Sequence, residues 1–386
     1  MPWKETDVVE MRSEFVMRAM RGEQSFVALC REYGISAKTG YKWKERFEAE
    51  GLGGLRDQSK RPRSSPQQIS EDQVCLIVKL KRAHQRWGPK KIRELLSRKD
   101  VEKEAASLST VKRVLKKAGL VEARGRRQAQ ECGRIENRLK AEAPNDVWTT
   151  DFKGHWYSAE RKRVQPLTVQ DAYSRYVLCA QALPDSRTET VRKCFERVFE
   201  CYGLPRTIRS DNGTPFASTN APLGLSQLSA WWVSLGINLD RIRPGHPEEN
   251  GGHERMHRDL SLEVEQSSDG SWDEQAAELE VWRRERNEER PHESLGMRTP
   301  AEVYKKSERN YEGDEEVELE YPSDYLKRKV SSGGEVRVAG ARIRISEAIA
   351  KWDIGLKAVG PRSYAVWFGP LCLGALDLET EVFKAM

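Results

Sequence analysis

The stretch Val147-Trp148-Thr149-Thr150-Asp151-Phe152-Lys153-Gly154 decides how this chain is read. β-Branched and aromatic residues crowd its first six positions, which is the composition of a strand, and Asp151 stands near the end of that strand. A second acid, Asp211, follows a short strand-like run, Thr207 to Arg209, and opens onto Asn212-Gly213, a turn signal. A third, Glu254, lies in His246-Pro247-Glu248-Glu249-Asn250-Gly251-Gly252-His253-Glu254-Arg255-Met256-His257, just inside a helix expected over Asn250 to Val264. The steps between the acids are 60 and 43 residues. Two strand-end acids and one helical acid can converge on one point. Three hard oxygen ligands suit Mg²⁺, with Mn²⁺ as a substitute. Two such ions in one site can clamp the attacking and leaving oxygens of a phosphoryl transfer.

At 386 residues the chain is too long for one ordinary core, so several domains are expected. Charged residues make up 33% and hydrophobic residues 38%, and no apolar run approaches membrane length. A soluble protein of a reducing cytoplasm, with no membrane partner, is therefore expected. The seven cysteines are scattered with no C-x-x-C pair, which argues against a structural zinc and a disulfide framework. The net charge of +6 is unevenly placed: residues 1–140 hold 33 Lys+Arg against 19 Asp+Glu, and the remainder 33 against 41. A basic front on an acidic rear points to a polyanion partner for the front.

That front reads as two helical domains. In residues 1–55, Val8 to Met20 is amphipathic, Ser25 caps Phe26 to Tyr33, and Ser36 caps Ala37 to Glu48 after the turn Gly34-Ile35. This is a helix-turn-helix pattern, and Lys38, Thr39 and Lys42 sit where a recognition helix meets base edges. Residues 56–69 form a basic linker in which Arg61 and Arg63 are candidate backbone or minor-groove contacts. Residues 70–120 repeat the three-helix theme. Their last helix, Thr110 to Ala118, carries Lys112, Arg113 and Lys116 opposite a core face of Val111, Val114 and Leu115. A second linker, 121–145, leads to the region of the acids, 146–305. There three strands, ending with Arg163 to Asp171 and Tyr176 to Leu183, precede an amphipathic helix over Thr188 to Tyr202 and alternating elements after it. A mixed sheet covered by helices is expected. An acidic linker, 306–326, then gives way to short alternating strands over 327–386, expected to close into a small antiparallel β-barrel.

The set W-T-T-D-F-K-G, S-D-N-G-T-P-F and G-H-P-E-E-N-G-G-H-E-R-M-H, followed by N-E-E-R-P-H-E-S-L-G from Asn287, resembles the DDE transposases of bacterial insertion sequences. Their catalytic core is similar to retroviral integrase and has a ribonuclease-H-like fold. The resemblance implies that Asp151, Asp211 and Glu254 are the catalytic, metal-binding triad of a DNA transposase. It also implies two ions per site, double-stranded DNA as partner (the element's terminal repeats and its target), and a homo-oligomer as the working assembly. The step from Asp211 to Glu254 is longer than in most relatives, which places the extra length in Ser218 to Gly224 and leaves Glu248 and Glu249 as rival ligands. Arg255 and Arg258 are candidate substrate contacts, as is Lys153, which shares a strand face with Asp151. His246, His253 and His257 cluster beside the third acid, but hard ions favour oxygen over imidazole. The alternatives are a DNA-binding regulator with an inactive core and a ribonuclease-H-type nuclease.

Overall fold

The computed structural model describes residues 7–58, 69–99, 106–121, 139–243, 245–266, 269–313 and 317–386, and of Pro247 and Glu248 only the backbone. Arg61 and Arg63 lie outside the described residues. The chain divides into two compact units, residues 1–68 and 69–386.

The first unit holds α1 (Val8–Arg21), α2 (Phe26–Glu32) and α3 (Ala37–Glu50). Asp7, Ser25 and Ser36 each cap the helix that follows by accepting a backbone N–H, which satisfies a donor the helix itself cannot. Phe15, Val16, Leu29, Cys30, Trp43 and Leu55 form the core. Gly40, inside α3, permits the close approach: a Cβ there would stand 2.6 Å from Cys30 Sγ and 2.9 Å from the Phe15 ring. Lys38 and Lys42 remain exposed on α3.

The second unit begins with α4 (Glu71–Ala83), α5 (Pro89–Lys99) and α6 (Leu108–Lys117), packed around Ile77, Trp87, Leu96, Val111 and Leu115. This bundle rests on the rest of the unit through polar contacts. His84 Nδ1 meets Glu285 Oε1 at 2.9 Å, Lys90 pairs with Glu293 at 2.6 Å, and Arg98 reaches Glu302 at 3.2 Å.

Beyond it lies a mixed sheet of β1 (Val147–Phe152), β2 (Trp156–Tyr157), β3 (Arg163–Asp171), β4 (Val177–Leu183), β5 (Thr207–Ser210) and β6 (Asn238–Arg241). β4, β3 and β1 run antiparallel, while β1, β5 and β6 run parallel, and β2 is a short piece paired to the start of β3. This is the ribonuclease-H-like order expected for an integrase core. Side chains alternate across the sheet, so its faces carry different cores. On one face, Trp148, Leu167 and Val169 pack against α7 (Thr188–Tyr202) and α8 (Gln227–Ser234). α7 presents Val191, Cys194, Phe195, Val198 and Phe199, the i, i+3, i+4, i+7, i+8 stripe of a helix buried on one side. On the other face, Val164, Val177 and Ala180 meet Met256 and Leu260 of α9 (Gly251–Leu260) and Leu279 and Trp282 of α10 (Trp272–Glu288). A π-helical turn, Ser261–Glu265, continues α9. No helix among the described residues is long and apolar enough to cross a membrane.

The C-terminal strands depart from the expected barrel. β7 (Tyr325–Lys329), β10 (Asp353–Gly360), β11 (Ser363–Phe368), β12 (Leu371–Asp377) and β13 (Val382–Ala385) form an open antiparallel sheet in the order β13-β12-β11-β10-β7. β8 (Glu335–Val338) and β9 (Ala341–Arg344) pair only with each other, as a hairpin beside β7 and β13. The ring is therefore bridged by packing but not closed by a hydrogen-bond ladder. The core of this sheet is also not its own. Leu225, Ala230 and Val233 of the α8 region pack into it with Ile354, Leu356, Val366 and Phe368. The preceding acidic segment is anchored as well: Arg309 Nη1 donates to the Pro205 carbonyl and Ser307 Oγ to that of Leu204.

Candidate active site

β1 and β5 run parallel with Val147 opposite Thr207 and Thr149 opposite Arg209. Extending that register puts Asp211, one residue past β5, level with Asp151 on the neighbouring strand. Equal offsets in sequence and register thus bring two acids 60 residues apart side by side. Gly213 lets the chain fold back over Asp211, since a Cβ there would stand 2.9 Å from Asp211 Oδ2, and the Gly213 N–H donates to Asp211 Oδ1. The extra length that follows is a loop closed at its base by a bridge between Ala217 and Leu225.

Glu254 lies in the first turn of α9 and is exposed. His253, Met256, His257 and Leu260 occupy the face of that helix turned toward the sheet, and Glu254, Arg255 and Arg258 the outer one. Its rival Glu249 is buried and engaged: its carboxylate accepts from the Arg243 backbone N–H at 2.9 Å and from Arg243 Nε. These bonds hold the Glu249 carboxyl below its ordinary range. The Glu248 side chain lies outside the described residues.

The Asp151 carboxyl is pushed up to about 7, first by burial, then by the negative charges of Asp211 and Glu254. The three acids therefore feel one another. Among the described residues, no three acidic, histidine or cysteine side chains stand close enough to hold a single ion together. The negative charge gathered around Asp151 is what a divalent cation would neutralise.

A polar network lies behind Asp151. Thr149 and Asp151 face the same side of β1, and Thr168 stands opposite Asp151 on β3. Thr168 Oγ1 donates to the Asp151 carbonyl oxygen at 2.9 Å and lies 2.7 Å from the Nε2 atoms of both His253 and His257. A hydroxyl has one proton and two lone pairs, so both imidazoles donate to it through Nε2–H. His253 Nδ1 lies 2.8 Å from Thr149 Oγ1, whose hydroxyl also reaches the Gln170 carbonyl at 3.2 Å, and His257 Nδ1 faces Asp151 Oδ2 at 3.8 Å. Burial keeps both rings neutral, pushing His257 down to about 3 and His253 well below its ordinary value. The sequence flags the histidine pair through its i, i+4 spacing; the two threonines carry no sequence signal of their own.

The remaining candidates are distributed widely. Lys112, Arg113 and Lys116 are exposed on α6, as Lys38 and Lys42 are on α3. Thr39 is half-buried, and its hydroxyl stands 2.9 Å from that of Ser36 in the helix cap. Lys153 Nζ pairs with Glu265 at 3.2 Å. Sequence reading missed Arg175, whose guanidinium lies against Gly252 at the start of α9: a Cβ there would be 2.6 Å from Arg175 Nη1.

Several known families and proteins are similar to stretches of this chain. Families described as a helix-turn-helix domain and a homeodomain-like domain match residues 11–63 and 39–115. Two families described as an integrase core domain match residues 141–247 and 235–300. The uncharacterized 31.7 kDa protein of insertion element IS407 from Burkholderia multivorans is 26% identical over 242 residues, covering 62% of this chain and 83% of that protein. The uncharacterized 39.2 kDa protein of IS476 from Xanthomonas euvesicatoria is 26% identical over 258 residues, covering 65% and 70%. Among solved structures, the catalytic core domain of BIV integrase is 23% identical, with a TM-score of 0.32 over 42% of this chain and 93% of that one. The chain thus holds stretches that match helix-turn-helix and integrase core domains, and it is similar to proteins of bacterial insertion elements.

Proposed function

We propose that this chain is a DDE-type polynucleotidyl transferase that binds the terminal repeats of a mobile element, cleaves DNA there and joins the freed ends to target DNA. The observation that carries the reading is the Asp151 carboxyl, raised first by burial and then by the negative charges of Asp211 and Glu254. Asp151 and Asp211 would hold one divalent ion, and Asp151 and Glu254 a second, with Mg²⁺ the natural choice and Mn²⁺ a substitute. When bound, such ions activate a water or DNA 3′-hydroxyl and stabilise the leaving oxygen of an in-line displacement. The protein's own part is positioning. β1 and β5 set the two aspartates level, and the first turn of α9 presents Glu254 from across the sheet.

Arg255 and Arg258, exposed on the same helix as Glu254, are suited to grip phosphates beside the acids. The exposed cations of α3 and α6 supply recognition, with Lys38, Lys42, Lys112, Arg113 and Lys116 as the contacts. Thr39 and Lys153 join them when DNA competes for Ser36 and Glu265. Arg61 and Arg63 extend the basic surface in sequence. Two ends must be joined together, so a dimer or larger homo-oligomer is the working form, acting on DNA in the cytoplasm.

The test uses duplexes carrying the inverted repeats that flank the gene. Wild type nicks and joins them with Mg²⁺, while Asp211→Asn retains end binding and loses both reactions. Binding without cleavage in wild type would favour a regulator with an inactive core, and cleavage of RNA–DNA hybrids in preference to repeat-ended duplex would favour a nuclease.

A further inference from the structure

We propose that Thr168 is a positioning residue whose hydroxyl ties α9 to the sheet and thereby holds Glu254 in register with Asp151. The inference rests on the reading of these acids as a metal-binding set. Glu254 stands only four residues past the boundary residue Asn250, and that helix start is weakly held. Asn250 makes no side-chain cap, and Gly251 and Gly252 open the first turn, where glycine costs helix stability. The apolar anchors of α9, Met256 and Leu260, lie further along the helix.

The first turn is held by polar contacts. His253, adjacent to Glu254, is hydrogen-bonded to Thr168 through Nε2 and to Thr149 through Nδ1, so it bonds to β3 and β1 at once. His257, one turn on, donates to the same hydroxyl, and that hydroxyl donates to the carbonyl of Asp151 itself. One oxygen atom thus uses its proton on the strand of the first acid and both lone pairs on the helix of the third. With the proton on the Asp151 carbonyl and a ring nitrogen at each lone pair, the hydrogen-bonding capacity of this oxygen is used. Residues that orient ligands in this way typically change metal affinity 10- to 100-fold when removed.

The test compares two pairs of variants of the full-length protein. Thr168→Val removes the hydroxyl at equal shape and Thr168→Ser keeps it; His257→Leu removes the Nε2 donor and His257→Gln keeps a donor at about the same reach. Mn²⁺ affinity is measured by calorimetry, amide exchange of residues 253–257 by mass spectrometry, and metal dependence and turnover in strand transfer. In Thr168→Val and His257→Leu, Mn²⁺ affinity should fall about tenfold, helix-start exchange should speed by a similar factor, and half-maximal metal should rise more than maximal turnover falls. End binding should not change. Thr168→Ser and His257→Gln should recover most of each effect. Wild-type affinity and exchange in Thr168→Val and His257→Leu would overturn the tie, as would failure of both conservative variants to recover. If Thr168→Val does not fold, the His257 pair decides. If wild type binds no Mn²⁺ and cuts no DNA, the functional reading has failed, and the exchange data still judge the tie.

Discussion

Replacing Asp151 by asparagine should make the metal-free protein more stable at pH 8. In the folded chain this carboxyl is pushed from the ordinary 3.8 up to about 7 by burial and by Asp211 and Glu254. The folded state therefore binds more protons than the unfolded state across that window, so stability falls as pH rises from about 4 to about 7. Each tenfold change in proton affinity corresponds to about 1.4 kcal/mol, which bounds the cost of ionising Asp151 at about 4 kcal/mol. The side chain is 30% exposed, and water screens part of the repulsion, which lowers the figure to about 2 kcal/mol. A neutral amide at this position would carry no such cost. Between pH 5 and pH 8 in chelator, a window that holds only the upper part of this titration, the stability of Asp151→Asn should thus gain on wild type by ~1 kcal/mol. For a body of this size that is roughly 2–4 °C in melting temperature. Urea unfolding or thermal melting at the two pH values reads it directly. Mg²⁺ should raise the wild-type midpoint at pH 8 and leave the variant's nearly unmoved, because bound cation stabilises only the form that holds it. Parallel pH profiles for the two proteins would refute the picture of an acid cluster short of positive charge.

Three further outcomes follow from the same geometry. Glu254→Gln should abolish cleavage and joining at unchanged end binding, whereas Glu249→Gln should retain the chemistry and lose ~1–3 kcal/mol of stability, because the Glu249 carboxylate serves Arg243; full strand-transfer activity in Glu254→Gln would remove it from the site. Lys38→Ala with Lys42→Ala should flatten the salt dependence of end binding, lowering the log–log slope by about 2, as measured by fluorescence anisotropy across a salt series. Gly40→Ala should destabilise the first helical unit by about 1–3 kcal/mol, seen as an earlier melting step, since the new methyl meets Cys30 and Phe15 below contact distance.

Much of this molecule is legible in local sequence. Ser25, Ser36 and Ser70 cap helices where their side chains can reach the third amide of the helix, a property of a few consecutive residues. The α7 stripe and the strand-forming run before Asp151 are local in the same way. α10 was not legible. Its apolar stripe is interrupted because Arg286 is buried by pairing with Asp259, 27 residues away, and Arg290 beside it pairs with Glu263. A buried arginine looks like a surface residue until its partner is known.

The site shows the same division. Each acid announces itself through its own turn or strand, so the three positions could be named from residue types and order. Local pattern puts Glu254 on the first turn of a helix and Glu249 in the loop before it; that Glu249 is engaged by Arg243 only the folded loop shows. Nor could pattern show that Thr168 meets His253 across 85 residues, or that the C-terminal strands stop short of a closed barrel because their core is completed by α8. By itself the sequence determined helices, strands and caps, because those depend on near neighbours along the chain. Only the tertiary structure decided which carboxylates are engaged, which charges are buried and which side chains meet behind Asp151, because these depend on how the chain folds back on itself.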